Sequence, residues 1–277
     1  MMKLDKTLIA GPWIGEFGWE LFAWHAYVRR LSRCFAKTII ICRDNSRGLY
    51  SDFADEFVSC NHRTGQVDSF FMHNYDLKSE LKNIIKQNNL LANNNVVLVP
   101  PRRIGFPPAT HYTEAINFGN MSIVPEYIKL TSTEKYDYDY VFHARDRDLR
   151  KEDNWSTDNW EQLRDLLGGK IASIGSKTES KHIENTDDLR GVSFDKSVGI
   201  IQNAKFVFGP SSGPMHLSSL CNTPHIVWSR PENRTRYQEN WNPHKTPVLF
   251  LDEFSWHPNA DYVYKRFEDW KKNLTLE

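Results

Sequence analysis

Short, wholly apolar runs alternate along this chain with longer amphipathic stretches. Residues 7–11 (Thr-Leu-Ile-Ala-Gly) read as a buried strand, ended by the turn pair Gly11-Pro12. Across residues 16–31, Leu21, Trp24, Tyr27, Val28 and Leu31 fall on one face at helical spacing. Residues 38–42 form a second strand, 47–57 a helix and 67–72 a third strand. Asp76 N-caps a helix to about residue 91, and strand 96–99 stops at Pro100-Pro101. Strands that are apolar throughout suit a parallel sheet covered on both faces by helices.

Residues 100–125 are punctuated by Pro and Gly and form the expected domain boundary. The alternation then restarts. Strands are expected at 140–143, 170–174, 191–193, 206–208, 225–228 and 248–251. Helices are expected at 157–167 with Thr157 as cap, at 195–204, and from Ser211 to residue 220. A final helix would begin near Pro258 and run to about 273, too apolar at Tyr262, Phe267 and Trp270 for a free tail. The chain is therefore expected to be α/β: domain 1–125, domain 126–255, and a terminal helix in 256–277. Two such halves would face each other across a cleft.

The 277 residues include 35 Lys and Arg against 35 Asp and Glu, so the net charge is zero. A nucleic-acid coat protein would usually be basic overall; this chain would need a local patch, such as Arg102-Arg103 or 145–151. No apolar run approaches the roughly 20 residues of a membrane span. The N-terminal apolar stretch is too short for a signal-peptide core. Cys34, Cys42, Cys60 and Cys221 are scattered, without Cys-x-x-Cys, and read as reduced thiols of a cytoplasmic protein. Trp, at nine residues, is abundant; its rings stack on sugars and bases, and they also fill cores.

Three segments carry candidate chemistry. In the first, Phe206-Val-Phe-Gly-Pro-Ser-Ser-Gly-Pro-Met-His216, a strand feeds a small-residue turn and then a helix start. Backbone N–H groups and the dipole at such a start attract phosphate. Ser211 and Ser212 add hydroxyls, Gly213 allows close approach, and Met215 and His216 lie in the first turn. An ordinary capped helix with a packed histidine is the other reading. The second segment, 141–151, places Arg145, Arg147, Arg150 and Lys151 after a strand, where cations suit a diphosphate. Asp146, Asp148, Glu152 and Asp153 would equally make it a solvated, balanced loop. The Asp-x-Asp strings at 137–139 and 146–148 could hold a metal, but arginines interleave the latter and would repel a divalent cation. In the third segment, Gly11-Pro-Trp13-Ile-Gly15-Glu16-Phe-Gly18-Trp19-Glu20, glycines set a carboxylate just past the first strand. Such an acid suits a general base, and it equally complements a helix dipole.

In order and spacing these segments resemble the heptosyltransferase-like glycosyltransferase family 9. Residues 188–191, the helix ending near Ala204, 207–217 and Thr223-Pro224-His-Ile-Val-Trp228 are similar to that family's donor-binding half. Lys151 with Trp155 and Trp160 resembles its Lys/Arg-x-Trp segment. Glu16 matches the acid of its Gly-Asp turn, with Glu for Asp, and Ser211 stands where the family usually has Asp. His143-Ala-Arg145 also resembles the His-x-Arg pyrophosphate motif of some fucosyltransferases.

The resemblance implies the GT-B fold, two Rossmann-like domains with the donor in the C-terminal one and a last helix packing back across both. It implies inverting, metal-independent transfer of a sugar from a nucleotide-diphosphate sugar to an acceptor hydroxyl, with no cofactor and no metal. Glu16 would be the base, with Glu20 as the rival carboxylate. His143, Arg145, Lys151, Ser211, Ser212, Gly213, Met215 and His216 would bind the donor. Trp13, Gly15 and Trp19 would lie on the acceptor side. The acceptor would be a lipid-linked or polysaccharide sugar, or a flipped hydroxymethylated DNA base as in phage DNA glycosylation. Readings of other classes are a polysaccharide pyruvyltransferase-like enzyme and a non-catalytic nucleotide-sugar binder.

Overall fold

The structure, a computed structural model, describes residues 3–62, 65, 69, 75–90, 95–100, 116–118 and 121–274, with the backbone alone at 116–118, 121 and 122. The chain divides into two compact units, Met1–Tyr127 and Ile128–Glu277.

In the first unit, β1 (Leu4–Ala10), β2 (Phe35–Cys42), β3 (Glu56–Ser59) and β4 (Asn95–Leu98) form a parallel sheet in the order β3-β2-β1-β4. Ile9, Ile39 and Ile41 of the strands meet Leu81 and Ile85 of α3 (Leu77–Gln87) in a buried cluster. Asp76 caps α3 as expected, accepting the Ser79 N–H at 3.3 Å. The helix expected at 16–31 is α1 (Phe17–Glu20), a π-turn (Leu21–His25) and α2 (Ala26–Ser32) in succession. β5 (Ile116–Phe118) and β6 (Met121–Ile123) make a small antiparallel ribbon.

One element differs in kind. The helix expected at 47–57 is a short 3₁₀ turn (Asp44–Leu49) followed by edge strand β3. Asp55 explains this: its carboxylate accepts the Thr38 N–H at 2.7 Å, tying the segment to β2 rather than coiling it. The strand expected at 67–72 lies outside the described residues except for Ser69, and Arg102-Arg103 lies wholly outside them.

The second unit holds β7 (Tyr140–Phe142), β8 (Ile171–Ser173), β9 (Asp187–Asp188), β10 (Phe206–Pro210), β11 (His225–Trp228) and β12 (Val248–Leu251). All are parallel, in the order β12-β11-β10-β7-β8-β9. Helices α4 (Thr157–Leu167), α5 (Phe194–Asn203), α6 (Gly213–Cys221) and α7 (Ala260–Lys272) complete it. The strand expected at 191–193 sits earlier, at Asp187–Asp188, because Ser193 is the cap of α5 and accepts the Lys196 N–H at 3.3 Å. Likewise Ser156, not Thr157, caps α4.

The core is aromatic. Trp155, Trp160 and Trp228 pack mutually with centroids 4.6–5.3 Å apart. The final helix, α7, sets Phe267 against Phe206 and Phe208 at 4.9 and 5.0 Å. Its apolar face is thus part of the second unit's own core, with α4 and β12 as its neighbours.

Candidate functional site

Strand order locates the openings of a parallel sheet. In the second unit the chain runs from β7 outward to β8 and β9, then returns to β10 on the other side of β7. Loops leaving β7 and β10 therefore part in opposite directions, and ligands of such sheets bind at the carboxyl ends beside this switch. The two loops are those of the expected donor site. His143 follows β7, and Ser211-Ser212 follow β10. They meet: Ser212 Oγ lies 2.9 Å from His143 Nδ1. Gly209 makes the meeting fit, since a Cβ there would lie 2.8 Å from Met215 Sδ and 3.1 Å from the His143 carbonyl oxygen.

The helix start differs from expectation in detail. α6 begins at Gly213, and Ser212 occupies the cap position without capping, because its hydroxyl is turned to His143. Pro214 has no N–H to offer. The Ser212 N–H donates to the Tyr237 hydroxyl at 3.0 Å. Gly213 and Met215 supply the remaining amides of this turn. Ser211, Ser212, Gly213 and Pro214 are partly exposed, whereas Met215 is fully buried. His216 is buried and stacks on Tyr237, with centroids 4.1 Å apart and planes 11° off parallel.

Burial dominates the local electrostatics. Desolvation, with Arg145 and Arg147 adding repulsion, pushes the His143 imidazole down to about 3, so it is neutral at physiological pH. His216 is also held well below the ordinary range, by burial and then by Arg236 and His225. Arg145 is 5% exposed, and burial with Arg147 beside it pulls its guanidinium down to about 10. It still carries its charge. Its N–H groups reach the Leu149 and Arg150 carbonyls at 3.0 and 3.2 Å, and the Asn154 side chain. Arg145 thus organises the 146–154 loop from within, while Lys151 on that loop is exposed.

The first sheet has its own switch between β1 and β4, and the glycine turn leaves from there. Gly11 has φ +110, and a Cβ on it would lie 2.2 Å from the Ile41 carbonyl oxygen, so only glycine fits. Beyond it, Glu16 is partly exposed at the start of α1. Ser69 grips it: the Ser69 N–H donates to Glu16 Oε2 at 2.7 Å, the Ser69 hydroxyl donates to the same oxygen, and Ser69 Oγ accepts the Glu16 N–H at 3.0 Å. The Trp13 indole N–H donates to the Glu16 carbonyl at 3.2 Å.

Glu20 is of a different kind. It is 1% exposed, pairs with the Arg43 guanidinium, and accepts the Tyr50 hydroxyl at 2.8 Å. Arg43 also donates to the Trp13 carbonyl at 3.2 Å and to Ser46 Oγ at 3.1 Å. Glu20 is thus a buried half of an ion pair, whereas Glu16 is partly exposed. Trp13, Gly15 and Trp19 are buried as well, and Trp13 stacks on Trp24 at 6.1 Å. Sequence reading missed Ser69, Arg43 and Tyr237, which are brought in from 53, 23 and 25 residues away.

Among the described residues, no group of three His, Cys, Asp or Glu side chains could hold a metal ion, and no helix is long and apolar enough to cross a membrane. Asp139 is engaged structurally, accepting the Lys170 N–H at 2.9 Å and Lys205 Nζ at 2.6 Å.

No family profile and no curated protein matches the sequence. Solved structures do. A glycosyl transferase of family 9 from Veillonella parvula aligns over 99% of both chains, at 14% identity and TM-score 0.60. The ADP-heptose lipopolysaccharide heptosyltransferase II of E. coli aligns over 97% of this chain and all of its own, at 13% identity and TM-score 0.60. E. coli heptosyltransferase WaaC, solved with ADP, aligns over 95% of this chain and 99% of its own, at 13% identity and TM-score 0.55. The chain has the fold of the family 9 glycosyltransferases, the two-domain GT-B architecture.

Proposed function

We propose that this protein is an inverting glycosyltransferase that takes its sugar from a nucleotide-diphosphate donor and works without a divalent metal. One observation carries the reading. His143 and the Ser211–Gly213 turn, both singled out for donor chemistry, meet at the switch point of the second sheet. That is where parallel α/β sheets hold phosphate-bearing ligands.

The chemistry follows from the groups present. The acceptor hydroxyl oxygen attacks the anomeric carbon as the bond from that carbon to the diphosphate oxygen breaks. The hydroxyl proton passes to the Glu16 carboxylate. It becomes acidic only as the new bond forms, so a carboxylate is a sufficient base. Charge building on the leaving diphosphate is met by the Gly213 amide, the Ser211 hydroxyl and the cations of the 145–151 loop. Each such preorganised donor is worth about 2–4 kcal/mol of barrier. His143 is neutral and aligns Ser212 rather than adding charge. The acceptor is taken to be a glycan hydroxyl, since a chain of zero net charge lacks the electrostatic footprint expected for a DNA polyanion.

A thermal-shift panel of UDP-, GDP-, ADP- and CMP-sugars tests the donor class. The cognate donor, at about 100 times its dissociation constant, stabilises by about 2.7 kcal/mol. No shift with any of them, in EDTA or with magnesium, overturns the reading; turnover lost in EDTA and restored by manganese overturns its metal-independent part.

A further inference from the structure

Tyr237 enters the second sheet's crevice from the π-turn Arg236–Asn240, which follows β11. Its ring is fully buried and held on several sides: flat on His216, edge-on to His225 at 6.3 Å and tilted to Phe250 at 5.6 Å. The hydroxyl is therefore fixed in place. It accepts the Ser212 N–H at 3.0 Å, and for its own proton it has Ser211 Oγ at 3.1 Å and the Ser212 carbonyl at 3.4 Å. Burial pushes its pKa above the ordinary tyrosine range, so it keeps that proton.

Ser212 is thereby held at two points, its N–H by Tyr237 and its hydroxyl by His143 at 2.9 Å. We infer that Tyr237 is a positioning residue for diphosphate binding: it fixes the Ser211-Ser212 turn so that phosphate oxygens meet the Ser211 hydroxyl and the Gly213 amide, both on partly exposed residues, while the Ser212 N–H stays with the tyrosine. The inference rests on the donor reading given above. Its physical content is preorganisation. A turn locked from behind by a buried hydroxyl loses little freedom when an anion arrives, so less binding energy goes into ordering it. The aromatic ring and the hydroxyl have separable roles, because Tyr237→Phe keeps the stack on His216 and removes the two-way hydrogen bond.

The test uses titration calorimetry of the full chain with inorganic pyrophosphate, with ADP, GDP, UDP and CDP, and with the matching nucleosides. In Tyr237→Phe, pyrophosphate and the preferred nucleoside diphosphate should weaken about tenfold, while the nucleoside of the same base is unchanged. Unchanged pyrophosphate affinity overturns the inference, and so does an equal loss for nucleoside and diphosphate, which would report a loosened fold. A second measurement needs no variant. On adding pyrophosphate to the wild-type protein, the amide proton resonance of Gly213 should move and that of Ser212 should not; the reverse pattern overturns the assignment. Should the wild type bind neither pyrophosphate nor any nucleoside diphosphate, the donor reading itself fails and the inference falls with it.

Discussion

Glu16 and Glu20 lie one helical turn apart, yet they should fail differently when neutralised. Consider Glu20→Gln. The glutamine keeps an oxygen for the Tyr50 hydroxyl but leaves the Arg43 guanidinium, 7% exposed, without its counter-charge. Breaking a buried ion pair on one side costs roughly 3–5 kcal/mol. Arg43 retains Ser46 Oγ and the Trp13 carbonyl as acceptors, which puts the loss near the lower end, about 3 kcal/mol. At about 2.1 cal/mol/K per residue, the 127-residue first unit unfolds with an entropy near 0.27 kcal/mol/K, so Tm should fall by about 10 °C. Glu16→Gln keeps one oxygen for Ser69 and removes only a partly exposed charge, costs about 1 kcal/mol of stability, and lowers turnover roughly 10²–10⁴-fold with donor affinity intact. The assay is thermal unfolding of both variants by circular dichroism, beside turnover at a temperature where each is folded. The reasoning is refuted if Glu20→Gln melts within about 2 °C of wild type yet is inactive, while Glu16→Gln keeps more than about a tenth of its turnover.

Other perturbations have similarly defined outcomes. In the unfolded chain His143 and His225 take up protons near pH 6.5, but burial holds their folded values at about 3 and about 4. The unfolded state then binds more protons across that window. Stability should be complete above about pH 6.5 and fall below it by up to about 1.4 kcal/mol per pH unit per histidine; a urea midpoint unchanged between pH 7 and 5 would contradict this. Phe267→Ala, at a fully buried ring against Phe206 and Phe208, should cost about 3–5 kcal/mol, and a variant as stable as wild type by urea titration would show that α7 is dispensable to the core. Gly209→Ala drives a methyl against Met215 and the His143 carbonyl and should destabilise by about 1–3 kcal/mol while weakening donor binding; unaltered affinity would detach this contact from the site.

Much of the architecture is written locally. Uniform apolar runs such as Ile39-Ile40-Ile41 and Phe206-Val207-Phe208 belong to strands buried on both faces, so periodicity alone marks them as parallel-sheet strands. Asp76 marks a helix start because one side chain satisfies a backbone donor three residues on. The turns at Gly11 and Ser211–Gly213 are legible for the same reason, since a few adjacent residues set the backbone path. Segments whose state depends on a distant partner were not legible. Residues 56–59 became a strand once β2 offered an edge and Asp55 tied the chain to Thr38. The environments of the two acids were decided at still longer range. The glycine turn marks Glu16 in the sequence, but nothing near Glu20 announces its burial; Arg43 and Tyr50 bury and neutralise it, and Ser69 holds the partly exposed Glu16. The same holds for the turn at Ser211–Gly213. Its sequence supplies small residues, amides and hydroxyls, but which of them face outward depends on His143 and Tyr237, brought to Ser212 by β7 and by the segment after β11. Backbone preference acts between neighbours and can be read along the chain, whereas pairing of buried polar groups acts through space and exists only once the chain has folded.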